Sequence, residues 1–171
     1  EAAKRGTAYH RILELLDFTA VSAKEDVVKQ FRGLLADGRI SEAAVEKVRP
    51  DGIWRLAASP LGRRIAGAQA AGRCRREQQF VMGIPARDIG AGDSEELVLI
   101  QGIIDAYLEE EDGLVLIDYK TDYILQGQEE ILIKRYGKQM DYYQKALEQI
   151  AGKRVKERII YSFSLNKEVP L

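Results

Sequence analysis

The sequence predicts an α/β sandwich, and three observations carry that expectation. Apolar residues over the first ~70 positions recur at helical spacing. From Glu77 onward they gather into short runs that are apolar on both sides, which suits strands of a sheet covered on both faces. A long stretch of helix formers, Glu129 to Ile150, then falls between the third and fourth of these runs, giving the order helices, three strands, helix, strand.

The elements follow in turn. Ile12, Leu13, Leu15 and Leu16 lie close to one stripe, and Val27, Val28, Phe31, Leu34 and Leu35 repeat it until Asp37-Gly38 stops the run. Ser41 suits the N-cap of a short helix through Val48. Pro50-Asp51-Gly52 reads as a turn before another helical stretch around Trp54 and Leu56, with Trp54 in the core. The expected strands are Gln78 to Ile84, Leu97 to Leu108, Leu114 to Lys120 and Arg158 to Leu165. No repeat, linker or internal boundary interrupts them, so residues 1–171 read as one domain, with 1–72 mainly helical and 73–171 forming an αβ core.

Composition excludes several classes. Its 46% hydrophobic and 31% charged residues give the chain enough apolar mass to fold, and its apolar runs are far short of the ~18 residues a bilayer span needs. One cysteine, Cys74, cannot build a disulfide framework, a Cys-rich zinc site or a four-cysteine iron-sulfur cluster by itself. The simplest compartment is the cytoplasm. The chain opens on Glu1 without a leader pattern and reads as a piece of something longer. Net charge is -1, but its distribution is uneven. Five arginines and no acid lie between Arg63 and Arg76, whereas Asp93 to Asp112 holds eight acids and no base. The first suits phosphates and the second metal ions; two solvated faces explain the runs equally well.

The most informative pattern runs from Gly102-Ile-Ile-Asp105 to Leu114-Val-Leu-Ile-Asp118-Tyr-Lys120-Thr, with Asp112-Gly113 marking a hairpin turn. If those two residues are the loop, Glu111 pairs with Leu114 and Asp105 opposes Lys120. A four-residue loop sets Asp105 against Asp118 instead. Either register puts Asp105, Asp118 and Lys120 on one face, because strand side chains alternate with period two. Charges embedded in apolar strands need partners or a metal. Clustered carboxylates suit hard ions such as Mg²⁺ or Mn²⁺, and a neighbouring lysine can orient an attacking water or stabilise a phosphorane. A cross-strand Asp105–Lys120 ion pair is the purely structural alternative.

The run Ile117-Asp118-Tyr119-Lys120-Thr121, thirteen residues after Asp105, resembles the RecB-type nuclease branch of the PD-(D/E)xK superfamily. Gly6-Thr7-Ala8-Tyr9-His10 resembles that family's first motif, which makes the only histidine, His10, a metal ligand beside Asp105 and Asp118. Glu77 matches an acidic residue at the start of the first core strand, where it joins the site directly or through water. Gln139 and Tyr143, four apart on one helical face, match a Q-x-x-x-Y signature that contacts DNA, leaving Tyr142 to pack on the sheet. Arg73, Arg75 and Arg76 are candidates to help hold DNA.

The wording of these motifs looks most like the nuclease domains of AddA-type bacterial helicase-nucleases. The resemblance implies a restriction-endonuclease-like mixed sheet flanked by helices, with Asp105, Asp118, Lys120 and Glu77 as catalytic residues and Mg²⁺, or Mn²⁺, as cofactor. It also implies a DNA strand supplied from an unwound duplex end and an AddB-like second subunit. No Gly-x-x-x-x-Gly-Lys-[Ser/Thr] loop occurs, so ATP use belongs to a helicase part outside this sequence, and no cysteine quartet is present for an iron-sulfur cluster. The competing expectation is a domain of the same fold that guides DNA or docks a subunit without cutting.

Overall fold

The computed structural model describes residues 2–90 and 93–171; Glu1, where the expected domain starts, lies outside them. Five helices come first: α1 (Ala2–Leu15), α2 (Lys24–Ala36), α3 (Glu42–Lys47), α4 (Pro50–Ala58) and α5 (Pro60–Ala70). Strands β1 (Cys74–Pro85), β2 (Leu97–Glu110) and β3 (Gly113–Lys120) follow, then α6 (Glu129–Ala151), β4 (Val155–Ser162) and β5 (Lys167–Pro170). None of the described helices is long and apolar enough to cross a membrane.

Local chemistry sets the helix ends. Gly38 takes a left-handed φ of 67° immediately after α2, the conformation that ends helices and that glycine adopts without strain. Ser41 caps α3 by accepting a hydrogen bond from the Ala44 amide at 3.2 Å. Pro50-Asp51-Gly52 is not a separate turn: proline stands at the first position of α4 and the three residues form its first turn. A missing N–H costs nothing where no intrahelical partner exists, so this proline starts the helix.

The five strands stand in chain order, with β1–β2, β2–β3 and β4–β5 antiparallel. Only β3 and β4 are parallel, and α6 is the crossover that such a pair requires. The edge strand β5 went unread in the sequence because it is four residues long. The fourth strand runs from Val155 to Ser162, so it starts and ends three residues earlier than expected.

Both faces of the sheet are covered. Ile12, Leu13 and Leu16 of α1 and its C-terminal end join Phe31, Ile53, Leu56, Leu61 and Ile65 of the other helices against Ala106, Leu108, Val115 and Ile117. On the opposite face Leu132, Met140 and Leu147 of α6 pack on Phe80, Leu114, Leu116 and Ile160. Trp54 is half-buried against the first of these cores.

The hairpin turn sits one residue earlier than Asp112-Gly113. Glu110 pairs with Gly113, leaving Glu111-Asp112 as the loop, and Ala106 pairs with Ile117. A two-residue loop thus gives the register that sets Asp105 against Asp118. The pairing of β2 with β3 runs no further than Ala106 and Ile117, while β2 continues along β1 and β3 continues along β4. The sheet forks there.

Candidate active site

A fork in a sheet leaves backbone donors without a neighbouring strand, and a buried unpaired amide is costly. Here Asp105, at the fork, accepts a hydrogen bond from the Tyr119 amide on its Oδ2 at 2.7 Å. Its other oxygen lies 2.9 Å from Nδ1 of His10, which α1 carries across the sheet. Asp105 is 8% exposed and Asp118 2%.

Glu77 reaches the same place through an unusual backbone. Arg76 pairs with Ala106 and Gln78 with Ile104, and Glu77 between them has a φ of 50°. Left-handed backbone at a residue with a side chain costs about 1–2 kcal/mol and is found where surrounding structure or function imposes it. His10, Glu77 and Asp105 each offer a ligand atom within 4.8 Å of the others. Asp118 is outside this tightest trio, facing Lys120 instead.

Lys120 is held from three sides. Its Nζ is 2.7 Å from Asp118 Oδ2, donates to Gln139 Oε1 at 3.1 Å and stands 4.2 Å from the centre of the Tyr136 ring. The Gln139 amide nitrogen in turn donates to the Tyr143 hydroxyl at 3.0 Å. Tyr136, Gln139 and Tyr143 follow one another at i, i+3 and i+7, so one face of α6 frames the lysine. Tyr136 is a site residue that the motif reading did not single out; its hydroxyl donates to Asp122, which is ion-paired to Arg135. The i, i+3, i+7 spacing was the available signal. Tyr143 also packs on the sheet, edge-on to Phe80 with ring centres 5.5 Å apart, a role expected of Tyr142 alone. A side chain at Gly102 would come within 2.8 Å of the Phe80 ring and 3.2 Å of the Tyr143 ring, which explains glycine three residues before Asp105.

The titrating groups register crowded negative charge. Burial, with the charge of Asp105 next, pushes Asp118 up to about 6 although Lys120 opposes the shift. Burial and then Asp105 also raise Glu77. At His10 burial works against the cation, but Asp105 and Asp118 outweigh it and raise the pKa. Burial, followed by the charges of Asp118 and Asp105, pushes the Tyr143 hydroxyl up to about 12. Buried Asp118, its Oδ2 paired only with the Lys120 ammonium, stands beside the carboxylate oxygens of Glu77 and Asp105 and the His10 imidazole, a donor set that fits a hard divalent cation.

The arginines fall elsewhere. Arg76, expected to help hold DNA, donates to the Leu13, Glu14 and Leu16 carbonyls and so caps the C-terminal end of α1. Arg75 is exposed and donates to the Gly72 carbonyl. Arg73 lies beside the β2–β3 turn, in a cleft it shares with Arg64 and Glu109 to Asp112. The acidic run at that turn is neutralised there: Arg64 binds Glu110 and Glu157, Lys153 binds Glu109, and Lys156 binds Glu110 and Asp112. Of that run only Asp105 enters the site.

A sequence model of the PD-(D/E)XK nuclease superfamily matches residues 1–169. The chain is 40% identical to an ATP-dependent helicase/nuclease subunit from Lachnoclostridium phytofermentans, over 97% of this chain and 14% of that protein. The corresponding proteins of Alkaliphilus oremlandii and Clostridium novyi are 38% and 36% identical, over 99% and 100% of this chain. The chain thus spans about one seventh of the length of these relatives, 14% in each case. A match along nearly every residue, on a mixed sheet that forks at Asp105 and Asp118, settles the family: the chain belongs to the PD-(D/E)XK nuclease superfamily.

Proposed function

We propose that this chain is a metal-dependent DNA nuclease domain, 1–171, that hydrolyses phosphodiester bonds. The observation that carries the reading is the donor trio His10, Glu77 and Asp105 set beside Asp118 and a lysine held by Gln139 and Tyr136. His10, Glu77 and Asp105 would hold the ion, with Asp118 supplying a further buried carboxylate. A divalent ion bound there, Mg²⁺ by preference or Mn²⁺, supplies Lewis-acid polarisation of a phosphate and an acidified water.

The protein's own groups do the rest. Lys120, fixed against Asp118 and Gln139, is placed to orient the attacking water and to offset charge building on the phosphorane. As the water oxygen bonds to phosphorus it gives up a proton to solvent, one P–O ester bond breaks, and the leaving oxygen takes the electron pair and a proton from solvent. Gln139 and Tyr143 position the strand, with the Tyr143 hydroxyl as a hydrogen-bonding phenol whose pKa burial pushes up to about 12.

The relatives' names support placing this domain in a larger helicase-nuclease. In that setting it cuts a DNA strand delivered by an ATP-driven helicase part, beside an AddB-like second subunit, during double-strand-break repair in the bacterial cytoplasm. The test is cleavage of end-labelled single-stranded DNA by this chain without ATP, in Mg²⁺ or Mn²⁺ against EDTA, beside Asp118→Ala. Metal-dependent cutting that the substitution abolishes is expected. Full activity in the folded variant would remove the proposal, and metal-free, non-cutting DNA binding would favour a docking module.

A further inference from the structure

A second cleft, of about 370 Å³, opens at Thr121, one residue beyond Lys120. Its walls carry Arg5, Lys47, Arg49 and Arg55 against one carboxylate, Asp51. That carboxylate is already engaged by Arg55 at 2.9 Å and Lys24 at 3.3 Å. Arg5 and Arg49 are exposed and, among the described residues, form no ion pair. Arg5 is anchored at the lip, donating to the Thr121 carbonyl at 2.5 Å. The chain as a whole is slightly acidic, at -1, so this concentration of positive charge is local.

The floor is aromatic, with the Tyr9 and Phe163 rings 4.5 Å apart. Low-dielectric walls around one sign of charge focus its field, and guanidinium forks match phosphate oxygens. Tyr123 stands at the edge, 79% exposed, with nothing in the fold to account for so bare a ring. An exposed aromatic beside a basic groove is the arrangement that holds a single strand through base stacking. Arg5 and His10 are five residues apart on α1, about 7.5 Å along its axis, and the cleft lining includes Tyr9 and Thr121, the chain neighbours of His10 and Lys120.

We propose that this cleft is a second single-strand subsite: Arg5 and Arg49 bind backbone phosphates one or two nucleotides from the bond being cut, and Tyr123 stacks a base. The ligand is named on the strength of the nuclease reading above. The test is fluorescence anisotropy with a labelled oligothymidylate in EDTA, where cutting plays no part. The double variant Arg5→Gln/Arg49→Gln should bind about tenfold more weakly at low salt, with a salt slope shallower by about 1.4, at roughly 0.7 for each phosphate no longer neutralised. Tyr123→Ala should weaken binding about fivefold or more, and Arg32→Gln, on the exposed side of α2, should change nothing.

A folded double variant with unchanged affinity and slope overturns the proposal, as does an equal loss from Arg32→Gln. Cleavage by the unsubstituted chain separates the two readings. Cutting with unchanged binding in the double variant refutes the subsite alone. Absence of cutting in any divalent ion, with binding lost in the double variant, refutes the nuclease and leaves the subsite standing.

Discussion

Nδ1 of His10 lies 2.9 Å from Oδ1 of Asp105, so one contact ties the first helix to the strand at which the sheet divides. Ninety-five residues of sequence separate the two, with α2 to α5 and β1 lying between them.

Replacing His10 with Ala should therefore weaken Mn²⁺ binding by at least about tenfold, in the range seen when groups supporting a metal shell are removed. The ring is half-buried, so thermal stability should change by no more than about 1 kcal/mol. Calorimetric titration beside thermal unfolding in EDTA separates the two effects.

Asp118 predicts a pH dependence. Its pKa rises from 3.8 to about 6 on folding, so the folded chain binds more protons than the unfolded chain between those values. Stability then falls as pH rises through that window. Asp118→Asn should flatten the slope between about pH 4 and 6 and raise stability at neutral pH, while abolishing cleavage. Urea unfolding in EDTA across that range measures this, and an unchanged slope would show that the carboxyl is not held protonated by its surroundings.

Glu77 combines a ligand with a backbone penalty. Glu77→Gly should preserve or raise stability, by up to about 1 kcal/mol, because glycine relieves the left-handed conformation, and it should lower activity sharply. Glu77→Gln retains the strain and should lose activity without that gain. Stability lost in the glycine variant would mean that the side chain, not the backbone, is the structural element.

Arg76 should behave as a structural residue. Arg76→Met removes the three carbonyl hydrogen bonds that close α1 and should cost about 1.5–3 kcal/mol, with the salt slope of DNA binding unaltered. A slope that changed by about 0.7 would instead return Arg76 to the phosphate-binding set.

The helical half and the crossover helix were legible from apolar residues at helical spacing, and the sheet from short runs apolar on both sides. Parity alone put Asp105, Asp118 and Lys120 together, since both candidate registers were odd. What sequence could not supply was geometry arising from tertiary contact. The left-handed backbone at Glu77, the capture of Arg76 by α1 and the exclusion of Asp118 from the tightest donor trio depend on how helices cross strands, not on any local spacing. The short β5 lacked the length to give a pattern. Tyr136 was missed for a different reason: its spacing to Gln139 was visible, but a ring beneath a lysine belongs to no motif.

The proposed nuclease chemistry depends on His10, Glu77 and Asp105 together holding a divalent ion. Electron paramagnetic resonance of a Mn²⁺ titration, comparing the unsubstituted chain with Asp105→Ala, tests it without requiring activity. The unsubstituted chain should deplete the free-ion signal, and the variant, still folded, should not. Equal depletion by both chains, or none by either, would contradict it.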